Sequence, residues 1–179
     1  MNTKKLALIS ILIAVCLGIQ LLPRPMNLEF TSLFVFVTGI VFGGFAGASL
    51  GALVMFVNGF LSPYGFAGVV LPFQILGMVL IGVGGGLYAK MWAGKVSATG
   101  FAETVVLGAF LTFIYDVITN VGTAVFLASG RMPLPEALVL VLITGAIPSI
   151  MHIVWNSFLF GTVTVPIVNA MQKTLMRRW

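Results

Sequence analysis

The chain has 179 residues, 60% of them hydrophobic and 7% charged, and its mean hydropathy is +1.16. These values exclude an ordinary water-soluble domain and predict an all-α integral membrane protein of one domain, residues 1–179, since several apolar runs are long enough to cross a bilayer. The net charge of +5 does not imply nucleic acid, because the nine basic residues sit at the edges of the apolar runs and form no phosphate-reading patch.

Lys4 and Lys5 open the chain, and an apolar stretch follows from Leu6 to Leu22. Two readings are open, a signal peptide or a retained first helix. A peptidase site needs small residues at the end of the run, whereas this one closes with Gln20, Leu21, Leu22 and Pro23, which favours retention. Cys16, the only cysteine, lies inside the run, so there is no intramolecular disulfide and no cysteine cluster for a metal. Further spans are expected at 30–43, 46–60, 69–89, 101–128 and 146–171. The second and third are short, about 20 to 25 Å at about 1.5 Å per residue, so each is extended by its neighbours or lies in a thinned or partly enclosed position.

Glu136 to Met171 is too long for one upright span. Gly145 with Pro148 marks the expected break, because proline removes an intrahelical bond. A compact bundle of six spans with both termini cytoplasmic puts Lys4, Lys5, Lys90, Lys95, Lys173, Arg177 and Arg178 inside and leaves Arg24 and Arg131 outside. Seven spans would place the basic tail outside. Pro133 to Gly145 is therefore read as an outer-face segment, tilted or re-entrant, with a seventh crossing as the alternative.

Small residues recur every fourth position at Ser10, Ala14 and Gly18, at Gly47 and Gly51, and at Gly82 and Gly86. Such stripes let backbones approach closely in lipid, either within the bundle or against a partner.

The polar residues inside the apolar runs are few. Asp116 and Asn120 stand one helical turn apart in the fifth run, and His152 and Asn156 share that spacing in the sixth. Ionisable groups at that depth are costly and usually mark a ligand or ion site. In the six-span orientation Asn58, Gln74, Asn120, His152 and Asn156 converge on one level of the outer half, with Asp116 deepest. Asp116 is expected to neutralise, or accept hydrogen bonds from, a cationic or donor-rich part of a ligand. The uncharged segment from Leu61 to Gly68 carries Tyr64 and Phe66 between turn residues and suits a lid. Arg24 and Glu29, flanking Pro25, either meet a ligand or pair in water.

Several chemistries are missing. There is no G-x-x-x-x-G-K-[ST] phosphate loop, no H-E-x-x-H metal pair and no G-x-S-x-G nucleophile elbow. The expectation is a protein that is not an enzyme and holds neither metal nor cofactor.

Four segments carry a family resemblance: Ser10-Ile-Leu-Ile-Ala14 after Lys4 and Lys5, Ser62-Pro63-Tyr64-Gly65-Phe66, Tyr115-Asp116-x-x-x-Asn120, and His152-Ile-Val-Trp-Asn156-Ser-Phe-Leu-Phe160. With its size and six spans, the chain resembles the substrate-binding S components of energy-coupling factor (ECF) transporters. The resemblance implies a multi-pass plasma-membrane subunit that captures a small water-soluble vitamin or precursor. Its pocket would open under 23–29 and 61–68, and its partners would be a transmembrane coupling subunit and two ABC ATPases. Asp116, Asn120, His152, Asn156, Gln74, Asn58, Tyr115, Tyr64 and Phe66 would then bind substrate. Ser10, Ala14 and Gly18 would dock on the coupling subunit, with Ser10 standing where the family has alanine. The competing expectations are a structural scaffold like the rod-shape protein MreD and a self-sufficient proton-coupled carrier using Asp116 and His152.

Overall fold

The computed structural model describes residues 3–22, 25, 27–91, 98–130 and 132–176. Arg24, expected to face a ligand or solvent, lies outside them, as do Lys95, Arg131, Arg177 and Arg178. Among the described residues there are six α-helices and no strand: α1 Thr3–Gln20, α2 Thr31–Phe42, α3 Gly44–Leu61, α4 Leu71–Ala89, α5 Ala98–Ala128 and α6 Leu134–Met176. Four are long and apolar enough to cross a membrane, namely α3 to α6. Their outward side chains, such as Leu76, Leu87, Phe110, Phe113, Ile143, Ile147, Val154 and Phe158, are exposed and hydrophobic, which suits lipid and not water.

The short α2 occupies an enclosed position. Nine of its twelve residues are buried, against neighbours in α1, α3, α4 and α6. Phe36 stacks on Tyr88 of α4 and tilts against Phe160 of α6 at 4.9 Å, so one ring joins three helices. A helix wrapped by protein does not need the full thickness of a bilayer. The chain reverses into α3 at Gly43, whose φ of 98° is a conformation that favours glycine.

α2, α3 and α4 touch backbone to backbone through glycine. A Cβ on Gly82 would collide with the Gly47 carbonyl carbon and the Ala48 amide, one on Gly85 with the Phe36 carbonyl, and one on Gly86 with Gly44. The stripes in the third and fourth runs thus serve internal packing. On α1, by contrast, Ser10, Ala14 and Gly18 all lie on an exposed face, and a Cβ on Gly18 would meet nothing within 4 Å.

The expected break at Gly145 and Pro148 is absent, and Pro133 to Gly145 is not a separate outer segment. α6 runs unbroken for 43 residues with both Pro148 and Pro166 inside it, about 65 Å at about 1.5 Å per residue. Each proline deprives the carbonyl four residues earlier of its donor, and in both cases that residue is a threonine, Thr144 or Thr162. Their hydroxyls bond back to Leu140 O at 2.8 Å and Phe158 O at 2.7 Å. Antiparallel contact with α5 supports the rest: Ala124 packs with Ala137 and Val141 at one end, and Val105 with Gly161 toward the other. A paired helix keeps its course past a single missing bond.

Candidate functional site

A cavity of about 490 Å³ opens at the end of the molecule where α3 meets α4. Its size is that of a small-molecule site. The wall is built from both connecting segments and from five helices, with Gln20 at the end of α1 among them. Pro25, Asn27 and Glu29 come from the segment before α2, Ser62 and Tyr64 to Ala67 from the α3–α4 connection, Asn58 and Gln74 from α3 and α4, and Tyr115, Asp116, Asn120 and His152 from α5 and α6.

The α3–α4 segment is shaped by its turn residues. Ser62 ends α3, its carbonyl accepts from the Gly65 amide at 3.0 Å, and Gly65 and Gly68 take positive φ. The Ala67 amide returns to Gly59 O at 3.0 Å, and Phe66 packs on Phe60 with ring centroids 5.2 Å apart. Tyr64 and Phe66 are thereby held at the rim, more than half exposed, with their segment tied back onto α3.

At the floor lies a buried polar cluster. His152 is 3% exposed, Glu29 7% and Asp116 8%. His152 Nδ1 lies 2.7 Å from Asp116 Oδ1, and Nε2 lies 3.4 Å from Glu29 Oε1. Glu29 is fixed on every side. Its Oε2 accepts the Ser32 amide at 2.9 Å, satisfying one of the open N–H groups at the start of α2. Asn156 Nδ2 donates to its Oε1 at 3.1 Å, and Trp155 Nε1 to its carbonyl at 3.1 Å. Burial opposes ionisation of this carboxyl, but the hydrogen bonds and charge of His152 and the hydrogen bonds of Ser32 more than compensate. The Glu29 pKa therefore falls below the usual carboxylate range.

Eight of the nine residues expected to bind substrate line this cavity: Asn58, Tyr64, Phe66, Gln74, Tyr115, Asp116, Asn120 and His152. Asn156 does not. Because α6 runs antiparallel to α5, the step from His152 to Asn156 descends away from the cavity, while the step from Asp116 to Asn120 climbs toward its mouth. Asn156 thus lies one turn deeper than His152, fully buried, and its amide joins Glu29 to Thr112 Oγ1 at 3.1 Å. It positions the cluster from behind, so Asp116 is not the deepest of the set.

Glu29 is the residue the sequence placed least well. It lies outside the apolar runs, where water is the default surrounding. Its signal was the spacing Glu29-Phe30-Thr31-Ser32, with an acid three residues before a free amide in the first turn of a helix. Gly145, read from sequence as a breaking point, instead makes room: a Cβ there would come within 3.3 Å of Asn120 Oδ1. Gly77 does the same for Tyr115.

Three buried oxygens at the cavity have no hydrogen-bond partner: Asp116 Oδ2, Asn58 Oδ1 and Gln74 Oε1. Buried polar groups are ordinarily satisfied, so these three oxygens are open to a polar partner such as water or a solute. Among the described residues no group of three or more His, Cys, Asp and Glu side chains is arranged to hold a metal. Comparison with protein-family models, curated proteins and solved structures finds no match to this chain.

Proposed function

We propose that this chain is the substrate-binding membrane subunit of an ECF-type transporter, a plasma-membrane protein that captures a small water-soluble micronutrient, a vitamin or precursor, at the outer face. The cavity carries this reading: five helices and two connecting segments converge on one space, and residues of its wall hold buried oxygens without partners. The six-span orientation with cytoplasmic termini opens it outward. Tyr64 and Phe66 then close over the bound solute, and Asn120, Gln74 and His152 read its polar edge. The subunit is not an enzyme, and uptake depends on a transmembrane coupling subunit and two ABC ATPases. The exposed face of Ser10, Ala14 and Gly18 offers α1 as the docking surface, since small side chains permit close helix approach.

The test is thermal stabilisation of the purified protein by a vitamin panel, followed by uptake into vesicles with and without the coupling subunit and ATPases. Stabilisation by one compound, with uptake only in the complete assembly, is expected. Uptake without ATPases would favour a proton-coupled carrier using Asp116 and His152, and no stabilisation would favour a scaffold. Ser10→Leu should leave binding intact and abolish uptake by the complete transporter. Persistent uptake would remove α1 as the docking face.

A further inference from the structure

Two carboxylates and one imidazole meet at the floor of the cavity, and their charges do not balance. Each ring nitrogen of His152 faces a carboxylate oxygen, Asp116 Oδ1 at 2.7 Å and Glu29 Oε1 at 3.4 Å. A neutral imidazole has a single N–H, so its other nitrogen would aim a lone pair at a carboxylate. The doubly protonated ring donates to both. With both carboxyls ionised, the described residues of the site leave one negative charge in a buried place, where an unbalanced charge is costly.

The two carboxylates differ in what remains open. Glu29 has both oxygens engaged, Oε1 by Asn156 at 3.1 Å and Oε2 by the Ser32 amide at 2.9 Å. Asp116 lines the cavity and keeps a buried Oδ2 without a partner. No lysine or arginine stands among the described residues lining the cavity. The side-chain amides of Asn58 and Gln74 can turn to present either an NH2 or an oxygen, so they suit donors and acceptors alike. An ionised Asp116 can only accept. A metal cation would need several oxygens converging at bonding distance, whereas one carboxylate with a free oxygen in a wall that also holds Met55, Val70 and Met78 suits a carbon skeleton with one charged nitrogen.

We propose that the cavity takes an organic monocation, a protonated amine or amidine whose N–H donates to the Asp116 carboxylate, with the amides of Asn58 and Gln74 on its uncharged part. This rests on the solute-capture reading and supplies the charge class of the substrate. His152 is then a positioning residue, holding the Asp116 carboxylate through Oδ1.

The test screens the purified full-length protein in detergent, by thermal stabilisation at neutral pH, against small metabolites drawn in equal parts from monocations, neutral compounds and anions. The strongest stabiliser should be a monocation, and Asp116→Asn should weaken its binding at least tenfold by calorimetric titration. A neutral or anionic compound as the strongest stabiliser overturns the charge assignment and leaves solute capture standing. No stabiliser in any class counts against capture itself, and the inference falls with it. Unchanged affinity in a folded Asp116→Asn protein also overturns the assignment. If that variant does not fold, Gln74→Lys and Gln74→Met decide: a fixed cation in the wall should cost the monocation at least tenfold more affinity than the neutral side chain does. Equal losses overturn the proposal.

Discussion

α3 and α4 run antiparallel along one seam, and its two halves are built from opposite chemistry. In the half nearer Gly44 and Ala89 the backbones touch, with Gly47, Gly82 and Gly86 facing each other and Gly44 across the contact. In the other half Met55, Asn58, Gln74 and Met78 line the cavity, and Gly59 meets the Leu71 side chain near the end of the pair. One helix pair thus forms a close joint at one end and part of the cavity wall at the other. Backbone contact fixes the spacing at one end, so side chains at the other can remain unsatisfied without the helices collapsing onto them.

Filling the joint should have the largest effect. Gly82→Leu places a side chain where the Gly47 carbonyl carbon and the Ala48 amide now lie, and neither is the free end of a flexible group. Overpacking a core costs about 1 to 3 kcal/mol when side chains can move, and backbone obstruction should exceed that. The expected outcome is loss of the monodisperse protein on size-exclusion chromatography in detergent, whether or not ligand is present. A folded Gly82→Leu protein would show that the joint does not set the spacing of the wall.

Asp116→Ala addresses the wall alone. Removing one member of a buried ion pair commonly destabilises a fold, because it strands the other charge. Here His152 retains Glu29 and borders an open cavity, so the protein should still insert and fold. Ligand affinity should fall at least tenfold, about 1.4 kcal/mol, as read by calorimetric titration. Unchanged affinity would remove Asp116 from the site.

The same division decides what could be read from sequence. Apolar runs located all six helices, because each must bury or present a hydrophobic surface along its length, and the polar residues interrupting those runs located most of the cavity wall. Asn58, Gln74 and Asp116 stand out because side chains of their kind are costly in an apolar helix. The pairing partners were not legible. Glu29 lies outside any run, and its burial depends on α6 bringing His152, Trp155 and Asn156 against the start of α2. The continuity of α6 was missed for a related reason. Pro148 signals a break within one strand of sequence, while the support from α5 and the back-bonded hydroxyl of Thr144 appear only in three dimensions. Gly145 belongs to the same class, since its purpose is the space it leaves for Asn120.

The smallest effect should come from narrowing the wall without touching a polar group. A Cβ on Gly77 would meet Tyr115 Cδ2 at 2.5 Å, a contact with a ring and not with backbone. Tyr115 can tilt, and it lies edge-on to His152 with centroids 5.8 Å apart, so its movement alters one side of the cavity and leaves the glycine joint alone. Gly77→Ala should therefore keep the fold, helped by the better helix propensity of alanine, roughly 0.5 to 1 kcal/mol. Ligand affinity should change by about threefold, about 0.7 kcal/mol. Gly18→Ala is the matched control on α1, where a new Cβ meets nothing within 4 Å, and its affinity should equal that of the unmodified protein. Equal titration curves for the two variants would mean that the Tyr115 side of the cavity does not touch the solute, whereas loss of folded Gly77→Ala protein would show that the α4–α5 contact at Tyr115 is as rigid as the glycine joint.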